Sequence, residues 1–538
     1  MLNKMLMFKN YIKIIAVLGL IVMANCARRG TITGGLKDTL APQLTNSLPK
    51  NYTLNFKGNA IKLNFNEYVK LKDVNKQLIV SPPMKFPLDI SPYLASQYLN
   101  IKIKDTLKPN TTYSFNFGNS IQDNNENNPI KQFKFVFSTG TYIDSLKLSV
   151  KVKDALERNV TNFVSFFLYE ATEKYTDSVI YKQMPRYVTN SLDSLKIVEF
   201  ENLREGKYRL IALKDVNNNN KFDPKTDKIG FVNDFISIPN QTQYELKLFK
   251  ELLPFKAISA TQASGNKIIV GYEGATTALK TELKMGTKTQ PFVVTKVPKK
   301  DSLNIWFKAQ KNDSVTLQFS KDKYLKKFDL KIKNQKKDTL QFSPEKSDVI
   351  LLRDNYIINT SRPIAKIDTS KMLLLNKDSV AQKFTTDYDA FNQQLIVKFE
   401  KEPLQKYKLK MFPSALLDFY DTKNDSLTFK FSTKNTSDYG NLRVTLENVK
   451  RFPVIVEITS EKGEVIASET ADTNITINFD LVEPAKFLLR LIYDDNKNKI
   501  WDTGNFLEQR QPEEVIYFPK LIDVRANWDV EQPFDLRE

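Results

Sequence analysis

Asp215-Val-Asn217-Asn-Asn219-Asn-Lys-Phe222-Asp223 follows the apolar run Tyr208-Arg-Leu-Ile-Ala-Leu213, and the same arrangement returns far downstream. There Phe487-Leu-Leu-Arg-Leu-Ile-Tyr493 runs into Asp494-Asp-Asn496-Lys-Asn498-Lys-Ile-Trp501-Asp502. A short apolar run ending in an Asx-rich turn reads as a buried strand and its exit. Two copies with one spacing, Asp-x-Asn-x-Asn-x-x-aromatic-Asp, make the chain an assembly of β modules. At 538 residues it is too long for a single core, and roughly 100–150 residues per module gives about four or five.

Outward from these loops the pattern stays β. Ile61–Phe65, Asn100–Ile103, Thr112–Phe117, Leu303–Phe307 and Val315–Phe319 are short, alternating and bounded by Pro, Asn or Asp. Long helical periodicity is missing beyond the first 25 residues, which argues against an α/β enzyme core. The fold expected is all-β: a tandem array of antiparallel β-sandwiches behind the first 25 residues.

Composition excludes much chemistry. The chain has no histidine and one cysteine, Cys26. Catalytic triads, imidazole ligands, disulfides and thiolate zinc sites are therefore absent. Glu513 beside Glu514, and Glu201 near Glu205, are carboxylate neighbours, but adjacent strand residues face opposite sides. Trp306 and Trp528 read as core aromatics before sugar platforms. No catalytic residues emerge, and the protein is expected not to be an enzyme.

Lys4, Lys9 and Lys13 precede the apolar stretch Ile14–Ala24, too short to cross a hydrocarbon layer about 30 Å thick. It ends Val22-Met23-Ala24-Asn25-Cys26, which resembles a bacterial lipobox despite Met23 and Asn25. That resemblance implies cleavage before Cys26 and lipid on its sulfur. Arg28 and Arg29 stand where surface-exported lipoproteins of Bacteroidota carry acids. The location implied is the outer membrane, facing the periplasm.

Asp38-Thr-Leu-Ala-Pro42, Phe65-Asn-Glu67, Leu107-Lys-Pro109-Asn-Thr-Thr-Tyr113, Asp123 and Phe137-Ser-Thr139 resemble the SbsA-type bacterial Ig-like domain. Leu395–Phe399, Pro403-Leu-Gln-Lys-Tyr407, Asp418 and Phe431-Ser-Thr433 form a weaker copy. With Ala27-Arg-Arg-Gly and Arg525-Ala-Asn-Trp528, the chain is similar to Ig-like domain-containing lipoproteins of Bacteroidota. The layout expected is signal peptide 1–25, lipidated tether 26–37 and Ig-like domain 38–140. A loop-bearing sandwich 141–249, a Lys-rich β module 250–344, a second Ig-like module 345–434 and a second loop-bearing sandwich 435–538 follow.

Three sets of residues are candidates for function. The first is the loops. Asp215, Asn217, Asn219, Asp223 and the later Asp227, with Asp494, Asn496, Asn498, Asp502 and the later Glu508, place oxygens at the alternate positions Ca²⁺ ligation uses. Asn220 and Lys499 replace the turn glycine, so two readings stay open: a Ca²⁺ loop, or an Asx turn serving its own backbone. No cofactor is required; Ca²⁺ is the candidate.

The second set is basic. The net charge is +18, and residues 280–337 hold sixteen Lys against five acids. Lys323, Lys326 and Lys327 stand for this surface, read as edge protection or as a face for an acidic partner or lipid headgroups. Nucleic acid is not expected, for want of interleaved Arg and aromatics.

The third set is the ten Asp-Ser/Thr-aliphatic tripeptides, where about two would be expected from ordinary composition. They resemble the O-glycosylation acceptor of exported Bacteroidota proteins and also fit turns entering strands. Their hydroxyls are Thr39, Thr106, Ser145, Ser178, Ser194, Ser302, Ser314, Thr339, Ser379 and Ser426.

The function expected is a periplasmic structural or interaction scaffold, held to the membrane by lipid and to an outer-membrane protein or envelope component by its modules. The alternatives are a glycan-binding lipoprotein and an accessory subunit of an outer-membrane transport or assembly complex.

Overall fold

A computed structural model describes residues 38–193, 197–308, 314–346 and 348–537. Its elements are β-strands joined by turns, with the short helix Val74–Gln77 and brief 3₁₀ segments. Alternation explains why. In Ala60–Leu71 the buried Ile61, Leu63 and Phe65 are interleaved with exposed Ala60 and Lys62 and half-buried Asn64, so one face joins a core and the other meets water.

Two compact units are distinguished, residues 38–80 with 84–143, and residues 144–537 with 81–83. In the first, the strand order is Leu44–Leu48, Ala60–Leu71, Ser96–Lys102, Asp89–Ser91. Thr112–Asn116 pairs with Lys134–Ser138 in another sheet. Leu63, Ile101, Phe115, Phe135 and Phe137 share one core.

The second unit holds several sandwiches. The two loop-bearing segments have one topology. Tyr187–Asn190, Ser165–Glu170, Gly206–Lys214 and Lys228–Phe231 lie in the same order as Val465–Ala471, Val454–Thr459, Ala485–Tyr493 and Val515–Tyr517. Each pairs its first and last strands in parallel, Leu146–Asp154 with Tyr244–Leu248, and Gly440–Glu447 with Asp529–Asp535. Their cores are separate, one around Phe166, Leu210 and Leu246, the other around Val456, Leu489 and Phe534.

Between them in sequence lie two further sandwiches. One packs Lys256–Ser264, Lys267–Glu273, Ser302–Phe307 and Phe292–Lys296 over a sheet containing Ser314–Lys321 and its edge strand Tyr324–Lys331. The other gathers Tyr356, Leu395, Leu409 and Phe431 into a core between Tyr356–Thr360 and Lys406–Met411.

Candidate functional site

Both loops leave a long central strand and close on themselves. Position one accepts backbone N–H groups from across the turn. Asn220 donates to Asp215 Oδ2 at 2.7 Å, and Asn498 and Lys499 donate to Asp494 at 3.0 and 2.9 Å. Positions four and six take left-handed φ in both copies, +51° and +56° at Asn218 and Asn220, +63° and +65° at Lys497 and Lys499. Asn tolerates that region better than Lys, so the second turn carries more strain.

At position five, Asn219 accepts from Lys221 N–H at 2.9 Å and Asn498 from Ile500 N–H at 2.9 Å. Position three differs. The Asn217 amide donates to Thr226 Oγ1 at 3.4 Å, whereas the Asn496 and Asn498 amides both donate to Asp502 Oδ2. Asp223 caps a turn by accepting from Lys225 N–H at 3.0 Å.

A second carboxylate braces each loop from below. Asp227 accepts from Val216 and Asp223 N–H at 3.0 and 2.9 Å. Glu513 accepts from the equivalent Asp495 and Asp502 N–H at 2.8 and 2.9 Å. Glu508, named from the sequence as the later carboxylate, instead pairs with Arg510 at 3.2 Å and is exposed. The brace comes later in the second copy because an insertion separates it from Asp502. Burial pushes the Glu513 carboxyl up against the N–H groups that lower it. Burial likewise raises Asp215, whose Oδ1 is buried without a hydrogen-bond partner. Among the described residues no three His, Cys, Asp or Glu side chains gather as a metal site. Phe222 is buried beside Tyr181, ring centroids 5.3 Å apart, and Trp501 donates its indole N–H to Glu513 O at 3.2 Å.

The insertion has its own job. Asn505 and Arg510 exchange backbone hydrogen bonds of 2.8 and 2.9 Å, closing a finger. Its Phe506 is fully buried and meets Phe231 of the first loop-bearing sandwich edge-on at 5.2 Å. The guanidinium of Arg209, itself buried, lies 5.4 Å from the Phe506 ring and donates to Gln509, Asp177 and Val232 O. Gln509 donates back to Asp177 at 3.0 Å. The backbone of Phe506 donates to Glu251 at 2.6 Å, and Thr503 donates to Lys250 O at 2.7 Å. A second contact lies at Tyr517, which donates to Leu156 O at 2.8 Å. The two loop-bearing sandwiches, remote in sequence, are thus joined.

The Ig-like motif residues form paired clamps. Lys108 N–H donates to the Tyr113 hydroxyl at 2.9 Å, and Glu402 N–H donates to that of Tyr407 at 2.8 Å. Thr139 Oγ1 accepts from Thr111 N–H at 2.9 Å and donates to Lys108 O at 2.7 Å. Thr433 does the same with Gln405 N–H at 3.0 Å and Glu402 O at 2.6 Å. Thus Pro-x-x-x-Tyr and Phe-Ser-Thr recur together because one holds the other.

Asp123 accepts from four consecutive amides, Asn125 to Asn128. Burial alone would raise its pKa, but these donors hold the carboxyl below its usual value. A carboxylate with a depressed folded pKa stabilises fully above its unfolded pKa of about 3.9 and ceases to as pH falls through the folded value. Exchange protection of residues 121–128 is therefore expected to drop below about pH 4 in wild type. In Asp123→Asn it should be low already at neutral pH; hydrogen exchange against pH measures both.

The remaining candidates belong to other segments of the chain. Lys323 sits in a turn, and Lys326 and Lys327 project from the edge strand Tyr324–Lys331, all exposed, where charge blunts edge-to-edge pairing. Ser302 is half-buried; Thr39, Thr106, Ser145, Ser178, Ser314, Thr339, Ser379 and Ser426 are exposed. Ser194 and Cys26 lie outside the described residues. Trp306 is buried, donating to Thr295 at 2.9 Å, while Trp528 is exposed beside Arg525. Glu514 pairs with Arg451 at 3.1 Å and Glu201 with Lys147 at 3.1 Å, while Glu513 is engaged by the amides of the second loop.

Residues 38–139 match the model of a bacterial Ig-like domain. Among solved structures, the chain is similar to surface layer protein SbsC, domains 1–6, at 9% identity over 90% of this chain and 67% of that one, with a TM-score of 0.16. It is also similar to the BSP domain of a biofilm-associated protein, at 9% identity over 94% and 99%, with a TM-score of 0.15. A three-Ig fragment of titin matches at 10% identity over 50% and 92%, with a TM-score of 0.12. No curated protein matches the sequence.

Proposed function

We propose that the chain is a non-enzymatic lipoprotein scaffold, tethered through Cys26 to the periplasmic face of the outer membrane and holding an envelope component in place. The joint at Phe506 supports this reading most, because the insertion that follows the second loop fastens two sandwiches to each other. Cross-linking in intact cells, followed by purification under denaturing conditions, is expected to recover one defined envelope protein. Recovery of the chain alone would remove the scaffold role.

The anchor has its own test. Cys26→Ala is expected to leave the precursor unprocessed or move the chain to the soluble fraction. Fractionation and processing identical to wild type would remove the anchor. The exposed Asp-Ser/Thr hydroxyls are proposed as glycan acceptors, and an intact mass equal to lipidated polypeptide would exclude them.

For the loops we favour the turn over the Ca²⁺ site. Asp494, Asn496, Asn498 and Asp502 already engage one another or the loop amides, so a cation would have to displace bonds already made. Melting midpoints with calcium and with chelator are expected to agree. An ion at a hundredfold excess over Kd would instead stabilise by about 2.7 kcal/mol, raising the midpoint of a module of roughly 100 residues by on the order of 10–20 °C.

A further inference from the structure

The first Ig-like sandwich carries a cleft of about 730 Å³ across one end of its larger sheet, within the size range of small-ligand sites. Strand register shows how it is built. Leu48 lies opposite Lys62, Lys62 opposite Asn100, and Asn100 opposite Ser91, so one row crosses four strands on the face away from the core. The next row holds Ala60, Lys102 and Asp89. At a strand spacing near 4.8 Å the row is about 14 Å wide. Leu48 stands at one side, 72% exposed, and Tyr93 at the other, 86% exposed.

Charge is uneven across this floor. Asp89 is matched by Lys104 at 3.3 Å. Lys62 rests 4.7 Å above the Tyr98 ring, and neither it nor Lys102 has a carboxylate partner among the described residues. Asp89 also accepts from the Tyr93 hydroxyl at 3.4 Å and stands opposite Lys102, so the floor keeps an excess of positive charge. With its exposed apolar walls and the Asn100 amide it suits a ligand with apolar ring faces, hydroxyls and negative charge. A peptide strand fits less well, because both edge strands run into proline, Pro49 and Pro92.

We infer that this cleft binds an acidic oligosaccharide, its carboxylates on Lys62 and Lys102, its hydroxyls on Asn100, and a sugar face against Tyr93. The test is calorimetric titration of the full chain in detergent with tri-galacturonate and maltotriose, and co-sedimentation of the detergent-free Cys26→Ala chain with anionic phospholipid vesicles. Tri-galacturonate is expected to bind at least about tenfold more tightly than maltotriose and to weaken as salt shortens the Debye length. Tyr93→Ala, at an exposed position, should weaken it roughly tenfold, the worth of an aromatic contact of about 1.4 kcal/mol. Lys62→Glu with Lys102→Glu should abolish it. The inference is overturned by absence of tri-galacturonate binding at millimolar concentration, by undiminished binding in the double variant, or by vesicles binding through these residues while the sugar does not.

Discussion

Phe506→Ala is expected to destabilise the joined sandwiches by about 3–5 kcal/mol, the usual cost of truncating a fully buried Phe. The side chain has no solvent exposure, and it packs on a sandwich whose sequence ends some 250 residues earlier. Its removal empties the space between Phe231 and Arg209, whose centres lie 5.2 and 5.4 Å from its ring. It also takes one aromatic face from a buried guanidinium, which leaves that charge less well compensated. The local strand Ala485–Tyr493 has its own core and should remain folded. Hydrogen exchange should therefore show residues 503–511 losing protection while residues 487–493 keep it. A second route to the same state is Gly504→Ala, whose Cβ would lie 2.6 Å from the Phe249 ring and 2.7 Å from Arg510 O. If both variants keep wild-type protection in the finger, the joint does not hold the sandwiches together.

Asp418→Ala should be equally damaging, at about 3–5 kcal/mol, for an electrostatic reason. Asp418 is fully buried and accepts from Arg362 at 2.8 Å and from the amides of Tyr420 and Thr422 at 2.8 and 2.7 Å. Removing it strands a buried guanidinium beside the Tyr420 ring, 5.2 Å away. The damage should spread, because Tyr420 donates to Asn266 O of the adjacent sandwich at 2.7 Å. Replacing both partners, Arg362→Met with Asp418→Leu, should recover part of the loss, since no charge is then left buried. Denaturant midpoints of the single and double variants measure this. The Lys308–Asp421 pair is shorter, 2.6 Å, but exposed on both sides, and its removal should cost less than about 1 kcal/mol. A double variant no more stable than Asp418→Ala would mean the loss lies in the turn amides.

The β class could be read directly, because alternation is a local property. Ile61, Leu63 and Phe65 point one way whatever the rest of the chain does. The turns were legible for a similar reason, since Asp and Asn serve amides within a few residues, as at Asp494. The recurrence of Tyr113 with Thr139 and of Tyr407 with Thr433 was visible as a pattern, but its cause was not. A hydroxyl must cross between strands before it can hold the loop.

Tertiary structure decided the rest. Glu513 and not Glu508 took the bracing role because an insertion moves the carboxylate that reaches beneath the loop, and side-chain reach follows position in space. The same insertion became a finger into Phe231 and Arg209, a match of shape and charge between segments that share no local signal. The cleft beside Lys62 and Tyr93 likewise depends on strand register, which brings residues 48, 62, 100 and 91 abreast. Alternation and turn chemistry are written in neighbouring residues and so can be read from sequence alone. Joints and clefts arise where distant surfaces meet, and only the folded chain brings those surfaces together.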